Sequence, residues 1–271
     1  MNVFSDAVAW IFSPDRLTAA LPLPEAIWTH LAFTFVAVLI AAAIAIPAGW
    51  AIGHTGRGRE VAVALSGAAR AVPSFGLVLL LVLVLGVTHK VAASVTAFVL
   101  LAIPPILAGA YAGIEAVERR VVDGARSVGM TGRQVLFQAE VPLGLPLLIG
   151  GLRSATLQVV ATVTLAGYVG NWGLGFYIVQ GIQIRDFSQI LGAALVIVVL
   201  AVVLDALFAI LQRLVVPRGV TAGRSAEDSP SRRRRRAPAP PPAGRGRRAP
   251  AARLAPPPPG PGDGRRGGGR L

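Results

Sequence analysis

Few residues of this 271-residue chain could carry bond-making chemistry, and they are poorly placed for it. Cys is absent, which removes thiol nucleophiles, zinc-thiolate sites and disulfides together. His30, His54 and His89 are too scattered along the chain to suggest a metal site, so neither a metal nor a cofactor is expected. The sole lysine, Lys90, follows His89, whereas a phosphate-cradling P-loop needs Gly-Lys ahead of Ser or Thr. Gly170, Gly173 and Gly175 have no strand before them and no phosphate-binding context, and no Ser/His/Asp set can be argued from spacing. The chain is read as a non-enzyme without an energy source of its own. That leaves a passive channel, an ion-coupled carrier, or one subunit of a powered machine.

A second group of polar residues lies inside apolar runs. Arg153 is followed by Ser154, Thr156, Gln158, Thr162 and Thr164, and Asp205 stands alone in a later run. Ionisable side chains in such positions are costly and need partners or water. At about 100° per residue Ser154, Gln158 and Thr162 fall roughly on one helix face. Two readings of Arg153, Ser154, Gln158 and Thr162 stand: a face lining a substrate path, or hydrogen bonding between helices of a bundle. Asp205 lies near one end of its run, where it can reach the membrane interface.

The elements that must position these residues follow from composition. The chain is 54% hydrophobic and 14% charged, against about a quarter charged in soluble domains, so it is read as an all-α membrane protein. About five spans are expected, near 27–52, 64–87, 91–114, 143–167 and 190–211. Within the third, Gly109 and Gly113 offer a close-packing face. Residues 1–26 contain a short amphipathic piece, Val3–Phe12, then Pro22 and Pro24, and are expected as an interfacial or loosely ordered lead-in on the outer side. Of 26 basic and 13 acidic residues, 14 and 3 lie from Arg218 onward, so the net charge of +13 falls to +2 over the first 217 residues. The Arg/Pro/Ala/Gly tail 218–271 cannot form a core and is expected to be disordered, clinging to anionic headgroups. It lacks the interleaved aromatics that would stack on bases, so no specific nucleic-acid binding is expected.

The charged island Glu115–Pro146 interrupts these runs. Val117, Val121, Ala125 and Val128 recur at helical spacing, Gly129 is placed to end that helix in a left-handed conformation, and Thr131 with Gln134 forms a capping-box pattern. The expectation is a helix, a glycine elbow and a second short helix through about Phe137, with Pro142 and Pro146 stopping or kinking the chain beyond it. Lys and Arg counts in the short loops put the 53–60 loop, the island and the C-terminus on the cytoplasmic side. The N-terminus and the 168–189 connector then lie outside. Trp172, Phe176 and Tyr177 of the connector read as interfacial anchors or a docking surface.

The island resembles the transmembrane permease subunit of binding-protein-dependent ABC importers of the type I, MetI-like kind. That family carries Glu-Ala-Ala, three residues, Gly, nine residues, then Ile-x-Leu-Pro. Here Asp123-Gly124-Ala125, then Gly129, then Ala139-Glu140-Val141-Pro142 keep the spacing. Asp replaces Glu, Gly replaces the first Ala, and Ala and Val replace Ile and Leu. Gly124 should weaken its helix by about 1 kcal/mol relative to Ala. Ala71-Val72-Pro73-Ser74-Phe75, Pro104-Pro105-Ile106-Leu107, and Leu152-Arg153-Ser154-Ala155-Thr156 running to Gly173-Leu174-Gly175 are similar to the branch importing glycine betaine, choline or carnitine. The likeness covers roughly residues 25–215, with a permease domain over 27–213. It implies that 115–142 is a coupling loop docking on a separate cytoplasmic ATPase through Asp123, Gly124, Ala125 and Gly129. Arg126 and Arg133, with Arg119, would add charge pairing there or serve as ordinary positive-inside charge. It also implies a second permease subunit, identical or paralogous, an extracytoplasmic substrate-binding protein and the bacterial plasma membrane. A permease for another small solute such as an amino acid, or a self-sufficient secondary carrier, are the alternatives. The carrier reading lacks an internal repeat and buried acids beyond Asp205.

Overall fold

The structure, a computed structural model, describes residues 2–215, apart from the side chains of 65, 66 and 68–70. The tail expected over 218–271 lies outside the described residues. No strand occurs among the described residues. In order, the helices are α1 (Val3–Phe12), α2 (Asp15–Thr18), α3 (Leu23–Thr55), α4 (Arg59–Ala71), α5 (Ser74–Leu85) and α6 (Lys90–Glu115). They continue as α7 (Arg119–Ser127), α8 (Gly132–Val135), α9 (Val141–Val163), α10 (Ala166–Val169), α11 (Gly175–Ile184) and α12 (Phe187–Val215).

Among the described residues four helical stretches are long and apolar enough to cross a membrane: Leu23–Thr55, Val87–Glu115, Gly132–Val169 and Phe187–Val215. The span expected at 64–87 is not one helix. Pro73 disfavours the helical region for the residue before it, and Val72 is extended at ψ 125. The run is thereby split into α4 and the 12-residue α5. The pair still covers the depth of the bundle. α4 begins where Arg59 bonds Glu115, at the last residue of α6, while α5 ends just before its first, Lys90.

Helix α6 is the centre. In its most apolar stretch 61% is buried, against 6% for α12, which is peripheral. Lipid tails are as apolar as leucine, so helices associate here by letting backbones approach. On α3 a stripe of small residues repeats every four positions: Ala37, Ala41, Ala45, Gly49 and Gly53. The three alanines are fully buried, and a Cβ on Gly49 would lie 2.5 Å from Ala110 Cβ of α6. The other flank of α6 meets α9 through glycine on both sides. A Cβ on Gly113 would fall 2.6 Å from Gly144 O, and one on Gly109 2.8 Å from Gly151 Cα.

The lead-in is more ordered than its composition suggested. Trp10 of α1 is buried against α12, where Gly192 leaves room for its indole, and meets Tyr177 edge-on at 5.1 Å. Arg16 lies 4.9 Å from the Trp10 ring centroid. Tyr177 donates its hydroxyl proton to the Leu21 carbonyl. Burial pushes this phenol above its ordinary pKa, and Arg16 partly offsets the shift.

Replacing Gly113 with Leu should force α6 and α9 apart, at about 1–3 kcal/mol by the usual cost of overpacking. Thermal unfolding in detergent should show a clear fall in Tm. Gly150→Ala, on the same α9 but with open space at its Cβ, should leave Tm unchanged or higher. Equal losses from both would rule out backbone contact as the cause.

Candidate functional site

The island folds by local rules. α7 ends in a double turn in which the Gly129 amide donates to Arg126 O at 2.9 Å and the Met130 amide to Ala125 O at 3.2 Å. This pattern needs a left-handed residue between them, and Gly129 supplies it at φ 85. Thr131 then opens α8. The Gln134 amide donates to Thr131 Oγ1 at 3.4 Å and the Thr131 amide to Gln134 Oε1 at 2.8 Å, completing the capping box.

The second helix does not stop near Phe137. It passes through a π-helical turn, Leu136–Glu140, straight into α9, making one continuous stretch over Gly132–Val169. Pro142 has no N–H with which to bond the Gln138 carbonyl, and the widened turn, with Val141 N–H reaching Leu136 O, takes up the mismatch just before it. Pro142 is the second residue of α9, directly after the widened turn, and Pro146 is carried within the helix.

Side-chain contacts tie this turn to the bundle. Glu140 is buried, and its Oε2 accepts a hydrogen bond from His54 Nδ1, in the last turn of α3, at 2.5 Å. Phe137 meets Trp50 of α3 edge-on at 6.1 Å. At the island's other end Arg59 bonds Glu115 at 3.0 Å. Between these anchors α7 buries no residue. Its apolar stripe finds no full cover among the described residues: Val121 is 41% and Val128 79% exposed. Asp123, Gly124, Arg126, Gly129 and Arg133 are exposed, and Ala125 is half-buried.

The residues flagged on α9 separate. Ser154 and Gln158 lie on an exposed face with Leu147 and Ala161. Gln158 Nε2 donates to Leu101 O at 3.4 Å. That carbonyl would be the helical partner of residue 105, a proline without an N–H. The amide thus serves a group that the apolar layer would otherwise leave bare. Thr162 is buried, its hydroxyl returned to Gln158 O at 2.7 Å. Arg153 faces α12 and forms a two-pronged ion pair with Asp205, both contacts 2.6 Å. His30 is fully buried, with Nε2 donating at 2.9 Å to Val160 O in the last turn of α9. Among the described residues no group of three or more potential ligands is arranged to hold a metal.

Three of these contacts did not emerge from spacing. Arg153 and Asp205 are 52 positions apart and His54 and Glu140 are 86 apart. For the first pair the signal was available, since one acid and one base within otherwise apolar spans call for each other. The Gln158 contact could have been sought from the orphan carbonyl that Pro105 creates.

Breaking the Arg153–Asp205 pair from either side should leave a lone charge among apolar neighbours. Arg153→Ala and Asp205→Ala should each lower membrane yield and Tm in detergent, and the double substitution should lower them less than the two single losses combined. Strictly additive losses would show that the pair contributes no coupling.

Residues 42–219 match the family described as the binding-protein-dependent transport system inner membrane component. The glycine betaine/carnitine/choline transport system permease protein OpuCB of Bacillus subtilis is 30% identical over 191 residues, 70% of this chain and 87% of its own length. The osmoprotectant import permease protein OsmW of Salmonella typhimurium is 32% identical over 197 residues, 70% of this chain and 90% of its own. Among solved structures, an inward-facing MetNI methionine ABC transporter chain superposes with a TM-score of 0.62 at 20% identity, over 69% of this chain and 93% of that one. At that identity the likeness speaks for a shared fold. With the family match spanning most of the helical bundle, this chain belongs to the inner-membrane components of binding-protein-dependent transport systems.

Proposed function

We propose that this chain is the membrane-spanning subunit of an ATP-driven importer carrying a small quaternary-amine osmoprotectant, such as glycine betaine, choline or carnitine, across the plasma membrane. The observation that carries the reading is the α7–Gly129–α8 elbow. It is exposed, apolar on one stripe, charged on its flanks, tied to α3 at one end through buried Glu140 and bordered at the other by the exposed Arg59–Glu115 pair. Relatives named for these solutes support the choice of substrate.

In this reading ATP hydrolysis belongs to a separate cytoplasmic subunit, which grips the elbow. Asp123, Gly124, Ala125 and Gly129 set the docking geometry, Val121 and Val128 supply apolar contact, and Arg126 and Arg133 pair with acidic groups of the partner. Glu140, held by His54, and the unbroken helix from α8 into α9 pass the displacement to the α9 face carrying Ser154 and Gln158. That face borders the path once a second permease subunit, identical or paralogous, completes the enclosure. A binding protein delivers the solute at the opposite end, and the coupling segment faces the cytoplasm.

A β-branched residue at the φ of Gly129 costs about 1–3 kcal/mol, so Gly129→Val should distort the elbow while leaving the spans intact. With its ATPase and binding protein co-expressed, the variant should reach the membrane at normal levels. Uptake of labelled glycine betaine by salt-stressed cells should fall at least tenfold, and unlabelled choline or carnitine should compete with the wild type. Unchanged uptake by the variant would remove the docking role, and uptake competed only by amino acids would remove the substrate assignment. Ion-gradient-driven transport by the purified chain alone in liposomes would favour a self-sufficient carrier.

A further inference from the structure

The end of the bundle away from the elbow holds a cavity of ≈ 550 Å³ where the start of α6 faces α10, α11 and the turn between them. Lys90, Tyr168, Asn171, Trp172, Phe176 and Gln180 bound it. No acidic residue does, and Lys90 makes no salt bridge among the described residues. Its ammonium instead sits 5.3 Å from the centroid of the Trp172 ring. The indole is firmly set. It stacks on Phe33 at 5.7 Å and 30°, and the Trp172 amide bonds Gly170 O at 2.9 Å. Tyr168 is propped edge-on by Phe75 at 5.2 Å. Gln180 has its oxygen engaged by Gln189 Nε2 at 2.9 Å, so the donors left on its side chain are the two amide protons.

The cavity therefore offers three aromatic rings, one cation and amide donors, with no anion. A ring face attracts ammonium groups, and a lysine with amide donors attracts a carboxylate. A simple cation entering this space meets Lys90 with nothing to neutralise it. A molecule with a trimethylammonium at one end and a carboxylate at the other satisfies both halves. Its carboxylate draws the Lys90 ammonium off the indole, and its ammonium takes the vacated ring face.

We propose that this cavity is a solute site in the permease itself, selective for zwitterionic quaternary amines carrying a carboxylate over the carboxylate-free choline, with Lys90 as the selecting residue. The proposal rests on the importer reading above.

The assembled permease–ATPase complex in lipid nanodiscs, without the binding protein, is titrated calorimetrically with glycine betaine, carnitine and choline. Wild type should bind glycine betaine and carnitine at least tenfold more tightly than choline. Lys90→Gln should weaken the two zwitterions at least tenfold and leave choline equal or tighter, Lys90→Arg should restore the preference, and Trp172→Leu should weaken all three. Size-exclusion profiles identify any variant that fails to assemble, and the wild-type ranking stands independently of the variants. No binding by the wild type, choline bound as tightly as glycine betaine, or a preference that survives Lys90→Gln would overturn the site. Uptake by whole cells separates the two levels of failure. Normal import of quaternary amines beside any of those results removes the site alone, while no import of any of the three removes the importer reading with it.

Discussion

The rest of the structure depends on how closely the backbones of α6 and α9 approach. Where Gly113 faces Gly144, and Gly109 faces Gly151, no side chain separates the two helices. In a bilayer this is how contact energy is obtained, because burying leucine against leucine gains little over burying it in lipid. The location of the contact matters as much as its closeness. α6 is the helix that leads into the exposed elbow and α9 is the one that leads out. Fastening them beside the elbow gives the intervening loop a base of close-packed helices, and α3, packed on the other flank of α6 through Gly49 and Gly53, extends that base.

Local chemistry stiffens that loop. The double turn at Gly129 and the capping box at Thr131 satisfy the amides and carbonyls that two short helices would otherwise expose. The π turn before Pro142 then admits a proline without breaking the helical path. Glu140 lies in that turn and is buried against His54, so the widened segment is itself bonded to another helix. A turn with a weakened hydrogen-bond ladder would be the natural place for the helix to hinge. Here a side-chain contact across to α3 opposes that.

Much of this was legible in the sequence wherever local rules decide the outcome. The elbow, its capping residues, the close-packing glycines of α6 and four long apolar stretches follow from residue spacing alone. The proline effects were less legible, because a proline's consequence depends on where its missing hydrogen bond can be absorbed. Pro73 splits a span that hydropathy joined, while Pro142 is tolerated because a π turn precedes it and Pro105 because Gln158 serves the carbonyl it frees. The geometry of the polar contacts was less legible for another reason. Spacing identifies which groups need a partner, and only the packing of α9 against α12 brings Asp205 to Arg153.

The polar groups also change character along the bundle. At the elbow end two pairs, His54 with Glu140 and Arg59 with Glu115, join helices, while the charges of α7 itself stand exposed. Within the apolar layer Arg153 is held by Asp205 through two contacts, and Gln158 by a bare carbonyl. At the far end Lys90 lies over an aromatic face and makes no salt bridge among the described residues. Charge within a membrane persists where it is paired, hydrated or carried on a quadrupole, and the three zones use different solutions. Paired groups spend their electrostatic capacity on the fold and have little left for a solute. Lys90, without an acidic partner among the described residues and set over an indole at the edge of an open cavity, still has its capacity to offer an anion, the charge on which the proposed solute site rests.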